Sequence, residues 1–194
     1  MARTRDIAQQ EALLSGATWA VLAERGLTGL TVRAVAERAG CTTGLVFHTF
    51  ESKQALLVHA RKLLFERAAA RVDEIEARCA SPFEALTSVT RALLTLDRNG
   101  SEEARVWISF VAAALSEPRL VEHHLAGNRA LLGRLVRLVR ASRPDWEAQH
   151  AADFAAGLVA LTEGFNVLST LDPDKYPRRV QERVVLGALS ELHV

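Results

Sequence analysis

Residues 31–53, TVRAVAERAGCTTGLVFHTFESK, decide the fold because they combine two short helical patterns with a tight turn between them. Apolar residues recur at helical spacing over 32–39, and Thr31 precedes them as a helix cap. Gly40 ends this helix, since glycine tolerates the left-handed conformation that closes one. Thr42 can then cap a second short helix. The pattern predicts a helix-turn-helix, the element that places its second helix in the major groove of DNA.

The start of the second helix is small and rich in hydroxyl groups, with Thr42, Thr43 and Gly44 in succession. Small residues allow close approach to base edges, where a threonine hydroxyl can donate or accept and its methyl can contact a thymine methyl. Positive charge stands on either side, at Arg33 in the first helix and at Lys53 after the second, where phosphates would pass. Taken with the helical spacing, these charges favour a DNA reader over ordinary solvated surface residues.

The same stretch resembles the TetR family of bacterial transcriptional repressors. The resemblance rests on residues 36–53, in which AERAGCTTG, FHTF and SK stand in the register of the family pattern. Three positions depart from that pattern: Phe47 replaces the usual tyrosine, Thr49 the usual histidine or tyrosine, and Cys41 the usual valine. The first two departures remove ring groups that commonly contact phosphates in the family.

Nine side chains are expected to contact DNA, and they come from the helix caps, the two short helices and the lysine that follows them. They are Thr31, Arg33, Thr42, Thr43, Leu45, Phe47, His48, Thr49 and Lys53. Upstream of them, apolar residues at helical spacing predict a first helix of about twenty residues that stops at Gly26. The family resemblance gives this helix the role of supporting the reading pair.

Composition limits what the rest of the chain can be. The 194 residues are 49% hydrophobic and 24% charged, which is typical of a globular protein and too apolar for disorder. The formal net charge is +1, whereas nonspecific nucleic-acid binders are usually far more basic. The two cysteines have no metal or redox spacing, and no signal sequence opens the chain. We therefore expect a cytoplasmic protein with no cofactor and no metal.

Helical patterns continue beyond the helix-turn-helix, and no alternating strand pattern of convincing length interrupts them. Helices are expected at about 52–79, 81–96, 102–115, 118–141, 146–171 and 178–192. Ser81-Pro82-Phe83-Glu84 has the form of a capping box, and Asn99-Gly100-Ser101 predicts a turn. The prediction is an all-α chain of about nine helices. A three-helix helix-turn-helix domain at 1–53 extends into the fourth helix, and 54–194 form a helical ligand-binding and dimerisation body.

The stretch FAAGLVALTEGFNVLSTL at 154–171 is apolar on most sides and carries one charge, Glu163. Its length just reaches that of a membrane span, but Glu163 and Asn166 argue against one, so no membrane partner is expected. In TetR-like proteins the last two helices pair with their counterparts in a second subunit. The resemblance therefore implies a homodimer formed through 146–171 and 178–192. Two reading helices about 34 Å apart would then fit a palindromic operator in double-stranded DNA.

The helix that begins at Pro118 carries two polar residues, His124 and Asn128, within an otherwise apolar stripe. A buried polar group needs a partner in the protein or in a ligand. Aromatic side chains at helical spacing are usually core, but aromatics around an acid would also suit a cationic small-molecule effector, because ring faces attract cations. The candidate ligand-binding residues are Trp107, Phe110, His124, Asn128, Glu163 and Phe165. The segment 105–118 also resembles the body of the betaine-operon repressor subgroup.

The sequence thus predicts a homodimeric DNA-binding repressor that a small-molecule effector releases from a palindromic operator. One alternative is a ligand-independent helical DNA-binding protein, which would want a more basic chain and no large apolar body. A helical enzyme is the other. The chain has no glycine-rich phosphate loop, and His123 and His124 would stand about 100° apart on a helix, which suits a single metal ion poorly. We therefore expect no enzymatic activity.

Overall fold

The computed structural model describes the backbone of residues 2–94, 98–115 and 118–193 and the side chains of residues 7–94, 102–115 and 120–192. Within these residues the chain forms nine α-helices, a final 3₁₀ turn and no strand, which confirms the all-α prediction. The helices are α1 (Ala2–Gly29), α2 (Val32–Ala39), α3 (Thr43–Thr49), α4 (Lys53–Arg78), α5 (Pro82–Ala92), α6 (Arg98–Ala114), α7 (Pro118–Ser142), α8 (Ala148–Leu171) and α9 (Arg178–Leu189).

The helices fall into two compact units. The first, called the head unit below, comprises residues 1–67 and 105–125, and the second, the body unit, comprises residues 68–104 and 126–194. Because α4, α6 and α7 cross from one range to the other, each contributes residues to both units. The sequence-based domain boundary after residue 53 remains a prediction.

One buried apolar cluster holds the head unit together. α1 contributes Leu14 and Val21 to it, and Val35 of α2, Val46 of α3 and Leu56 of α4 pack into the same cluster. Full burial of one such side chain stabilises the fold by about 1.5–3 kcal/mol, so the cluster is what fixes α2 and α3 against α1. The upstream helix therefore supports the reading pair by packing, which is the role that the family resemblance implies.

α1 bends at Gly26, where φ is 65° and ψ is −171°. Only glycine adopts this region of the backbone map without strain, so the regular helix ends where the sequence predicts that it stops. A further helical turn over residues 27–29 follows the bend, and Leu30 after it is buried in the head unit.

A second apolar cluster forms the core of the body unit. It contains Leu86 and Val89 from α5, Leu135 from α7, Leu158 from α8 and Val185 from α9, all fully buried or nearly so. Polar contacts at its surface join the same helices, as in the ion pair between Arg91 of α5 and Glu182 of α9. Exposed ion pairs add little stability, so the apolar cluster is the main source of cohesion.

The cap before α5 confirms the predicted capping box with one difference of partner. The Ser81 hydroxyl accepts a hydrogen bond from the Glu84 amide at 3.2 Å. The Glu84 carboxylate accepts from the amide of Ala80 at 2.8 Å, one residue earlier than the usual reciprocal bond. Both contacts satisfy N–H groups that the helix itself leaves unpaired.

The turn predicted at residues 99–101 is wrong, because these residues lie inside α6, which begins at Arg98. Asn, Gly and Ser are tolerated there since the N–H groups of a first helical turn have no intrahelical partner to lose. α5 ends at Ala92, earlier than the predicted end near residue 96, which lies outside the described residues.

Candidate DNA-binding and effector-binding sites

The helix-turn-helix is built by two threonine caps and one glycine. The Thr31 hydroxyl accepts a hydrogen bond from the Ala34 amide at 3.1 Å and so starts α2. Gly40 ends α2 in the left-handed conformation, with φ 66° and ψ 32°. The Thr42 hydroxyl then accepts from the Leu45 amide at 3.3 Å and starts α3. All three features were predicted from residues 31–53, and the structure confirms them.

α3 buries one side and exposes the other. Val46 is 2% exposed and Phe50, which follows the helix, is 7% exposed, so these two side chains anchor α3 to the head unit. Thr43, Phe47 and His48 are exposed on the remaining surface. The part of α3 that can reach a ligand is therefore a small hydroxyl-bearing residue, an aromatic ring and an imidazole.

Seven of the nine predicted DNA-contact residues are exposed, and two are half-buried. The exposed ones are Thr31, Arg33, Thr42, Thr43, Phe47, His48 and Lys53, and the half-buried ones are Leu45 and Thr49. The Thr49 hydroxyl donates its hydrogen to the Leu45 carbonyl at 2.9 Å. A phosphate oxygen needs a donor, so Thr49 in this rotamer has no hydrogen left to offer one. The role of each residue toward DNA remains a prediction.

Local contacts fix the two helices in place beyond the apolar core. Ser52 caps α4 by accepting from the Ala55 amide at 3.1 Å, which sets Lys53 in the first turn with its side chain exposed. Arg38 of α2 forms an ion pair with Glu24 of α1 at 2.7 Å. These contacts hold the lysine and the reading pair on one rigid unit.

In the head unit, the side chain of a buried arginine lies against the aromatic residues that were predicted to bind a ligand. Arg61 of α4 is 1% exposed, and its guanidinium carbon lies 3.7 Å from the Phe65 ring centre and 3.9 Å from that of Trp107. The Phe110 ring is 5.6 Å away. The predicted pair of α6 aromatics is therefore brought together, but around a cation of the protein itself.

His124 of α7 completes this cluster, which we call the Arg61 cluster. Its ring lies 4.9 Å from that of Trp107, and its Nδ1 atom is 3.2 Å from Nη2 of Arg61. Arginine has no acceptor, so Nδ1 must accept and the ring must be neutral with its hydrogen on Nε2. Burial lowers the pKa of His124, and the charge of Arg61 lowers this pKa further.

The six predicted ligand-binding residues do not fall in one unit. Trp107, Phe110 and His124 belong to the head unit, while the other three, Asn128, Glu163 and Phe165, belong to the body unit. Asn128 and Glu163 are half-buried, and Phe165 is buried, with its ring centre 6.4 Å from that of Tyr176 and the two ring planes inclined at 65°. Phe165 is thus part of the body core.

The candidate residues from the sequence do not include two amides of the body unit, the half-buried Asn166 and the buried Gln181. Asn166 donates to the Leu93 carbonyl, and Gln181, which is 2% exposed, donates to the Tyr176 carbonyl, both at 3.0 Å. The side-chain oxygen of each amide is buried without a hydrogen-bond partner among the described residues. For Asn166 the available signal was its polar position within the apolar helix α8, which is comparable to the position of His124 in α7.

Family models match both parts of the chain. Residues 14–60 match the model of the bacterial regulatory proteins of the tetR family. Residues 82–194, more than half of the chain, match the model of the C-terminal domain of BetI-type transcriptional repressors. The two matches correspond to the helix-turn-helix with its supports and to the helices from α5 onward.

Individual relatives agree with the family models. The HTH-type transcriptional regulator BetI of Burkholderia thailandensis is 30% identical over 156 residues, which cover 80% of this chain and 78% of that protein. A transcriptional regulator of Rhodococcus sp. Rha1 is 30% identical with a TM-score of 0.85, covering 94% of this chain and 95% of that one.

A third relative shares the fold at low identity. It is a transcriptional regulator of Saccharomonospora viridis whose structure is a complex with choline, with a TM-score of 0.86 at 16% identity over 93% of this chain and 95% of that one. All of these relatives are regulators of transcription, a class without enzymatic activity. The chain belongs to the TetR family of DNA-binding transcriptional regulators, with a BetI-type C-terminal domain.

Proposed function

We propose that this regulator is a homodimeric repressor in the cytoplasm that reads a palindromic operator through α3 and is released by a small-molecule effector. The observation that carries the proposal is the division of α3 into a buried and an exposed face. Val46 anchors the helix, while Thr43, Phe47 and His48 are free to enter a major groove. A helix that used all its side chains for packing could not serve this purpose.

Contacts to the phosphate backbone come from the positions that flank the reading helix. Arg33 of α2 and Lys53 of α4 are exposed cations of the head unit. The hydroxyls of Thr31 and Thr42 accept from backbone amides and keep their own hydrogen for a phosphate oxygen. Such contacts set affinity and register, so binding should weaken steeply as the salt concentration rises.

The homodimer is supported by an apolar helix that its own unit covers on one side only. By length and composition α8 could cross a membrane, since its mean hydropathy over eighteen residues is 1.4, and 22% of that window is buried. Ala151, Ala155 and Leu158 face the body core, while Leu168 and Leu171 are exposed. A second copy of the chain covers this outer face. A helix with one face buried in a protein core is poorly suited to cross a membrane.

The charges at the two groups of candidate residues decide which of them can bind a cationic effector. The Arg61 guanidinium already lies over the Trp107 ring, so a cationic effector would meet a like charge at the Arg61 cluster. In the body unit, Glu163 offers a half-buried acid, and the oxygens of Asn166 and Gln181 are buried acceptors. We assign a cationic effector to Glu163 and these amides, and not to Trp107.

Release requires that the effector bind two states of the dimer unequally. One state holds the two α3 helices at the spacing of successive major grooves, and the other does not. An effector with higher affinity for the second state shifts the population toward it and so lowers the affinity of the dimer for DNA. DNA in turn lowers the affinity of the dimer for the effector by the same factor.

The DNA part of the proposal is tested by fluorescence anisotropy on duplexes selected in vitro from a random pool by the full-length protein. We expect enrichment of a palindrome and binding that weakens strongly between about 50 and 200 mM salt. Enrichment of no sequence, or equal binding to a scrambled duplex, would refute operator recognition.

The effector part is tested by thermal shift and operator release with a panel of cations that includes choline, the ligand of the Saccharomonospora viridis regulator. We expect a stabilising cation whose effect disappears in Glu163→Gln and persists in Trp107→Phe. A panel member that acts equally on both variants contradicts the assignment. Failure of a broad panel of cations, anions and neutral compounds to alter DNA binding would favour ligand-independent regulation.

A further inference from the structure

The ring of Phe47 lies outside the buried core of the head unit. It is 57% exposed, whereas its neighbour Val46 is 2% exposed. None of the ring contacts within the described residues involves it, although Phe50, three residues on, pairs with His59. A single exposed apolar side chain is common on protein surfaces, but on the exposed face of α3 this ring is free to contact DNA.

The surface around this ring is shaped for close approach. Phe47 lies one helical turn after Thr43, so the two side chains share a face of α3. Gly44 stands beside them with no side chain, and a methyl group there would meet only the Thr42 hydroxyl, at 3.7 Å, which is ordinary contact. The fold therefore does not require glycine at this position, and the lack of a side chain there leaves room for close approach from outside.

The chemistry of a phenyl ring limits what it can recognise in a major groove. The ring has no hydrogen-bond donor or acceptor, so it can neither hold a phosphate nor read the polar edge of a base. Among the groups that the major groove presents, the C5-methyl of thymine is the apolar one. Thymine is therefore the base that Phe47 can distinguish.

We propose that Phe47 is a specificity-determining residue that contacts the C5-methyl group of a thymine in each half-site of the operator. The inference rests on the proposed function, because it requires α3 to be the reading helix. Thr43, on the same face, places its own methyl and hydroxyl toward the neighbouring base, and Gly44 lets the backbone of α3 come close enough for both contacts.

The test removes one methyl group at a time from the DNA. After in vitro selection has defined the operator, each thymine in a half-site is replaced by deoxyuridine, which differs only by the missing methyl. At one position the wild-type protein should bind about fourfold more weakly, the loss expected for one buried methyl group. Phe47→Ala should bind the thymine and the deoxyuridine duplexes of that position equally. Phe47→Tyr, which keeps the ring, should retain the preference for thymine.

The outcomes separate this inference from the function on which it rests. If wild-type protein selects a palindrome but tolerates deoxyuridine at every thymine, the methyl contact is wrong and operator recognition stands. If Phe47→Ala weakens binding to operator and scrambled duplex alike while the deoxyuridine effect persists, the ring contacts the backbone and the inference is again wrong. Selection of no sequence by the wild-type protein refutes both.

Discussion

The side chains of Arg61 and His124 join two basic groups in one hydrogen bond, with Nη2 and Nδ1 3.2 Å apart. The pair is possible because the imidazole is neutral and accepts. Protonation would remove the acceptor and set a second positive charge beside a guanidinium that is 1% exposed. Folding of the head unit therefore favours a neutral His124, whereas the same histidine in the unfolded chain is protonated in mild acid.

Stability should therefore fall as the pH falls through the titration of this histidine. The unfolded chain binds the proton with a pKa of 6.5, and the folded pKa is lower, mainly because of burial. The stabilisation is fully present above 6.5 and is lost as the pH decreases toward the folded value. Urea unfolding between pH 5 and 8 should show a smaller decrease in His124→Gln than in wild type. The exposed neighbouring residue His123 supplies the control. If His123→Gln reduced the pH dependence of the free energy of unfolding as much as His124→Gln does, the assignment of this dependence to His124 would be wrong.

Lys53→Ala should weaken binding to operator and to unrelated DNA by similar factors. A lysine that contacts a phosphate carries no sequence information, and its loss should reduce the slope of log K against log salt by about one. Anisotropy titrations at several salt concentrations measure this slope. Lys62→Ala removes an exposed cation of the same helix, one that pairs with Glu66, and should leave the slope intact. An unchanged slope for Lys53→Ala would show that its ammonium group does not contact a phosphate.

Two glycines four residues apart should respond to alanine in opposite ways. Gly40→Ala forces a side chain into the left-handed region and should lower the free energy of unfolding by about 1 kcal/mol. Gly44→Ala lies in regular helix with room for a methyl group and should raise it by about 0.5–1 kcal/mol. The same Gly44→Ala protein should nevertheless bind the operator more weakly, because the methyl group obstructs the approach of DNA. Full operator affinity in this stabilised variant would mean that α3 does not come close at Gly44.

Leu168→Arg should convert the dimer to a monomer. In the proposed dimer the substitution would bury a charge without a partner in the apolar face of α8, and a charge buried without a partner is strongly destabilising. Analytical ultracentrifugation gives the mass directly. Leu13→Arg in α1 changes a leucine of the head unit that is even more exposed than Leu168 and should remain dimeric. Dimers of unchanged stability in both variants would place the subunit interface elsewhere.

Local features of the fold could be predicted from the sequence because their causes are local. Thr31 and Thr42 cap their helices through amides three residues on, and Gly40 needs only its own backbone freedom. The turn predicted at residues 99–101 failed for a related reason. A weak helix former costs little in the first turn, and no local signal tells whether a helix starts before or after it.

The surroundings of the candidate ligand-binding residues were less predictable because they depend on packing between distant segments. Arg61 stands at helical spacing between apolar residues of α4, yet an arginine is ordinarily read as exposed, and its burial against Trp107 follows only from the approach of α6. Phe165 could not be separated from ligand-facing aromatics until its contact with Tyr176 was known. The same spacing produces a core residue or a binding residue according to what lies opposite.

The residue that joins the two helices of the reading pair is achiral and lies in the left-handed region of the backbone map. At Gly40 the backbone takes φ 66° and ψ 32°, close to the mirror image of a right-handed helical residue. An amino acid of inverted configuration would find there its own ordinary helical geometry, whereas every natural side chain finds strain. Within residues 31–50, Gly40 alone has a positive φ, so the two helices of the reader change direction at an achiral residue.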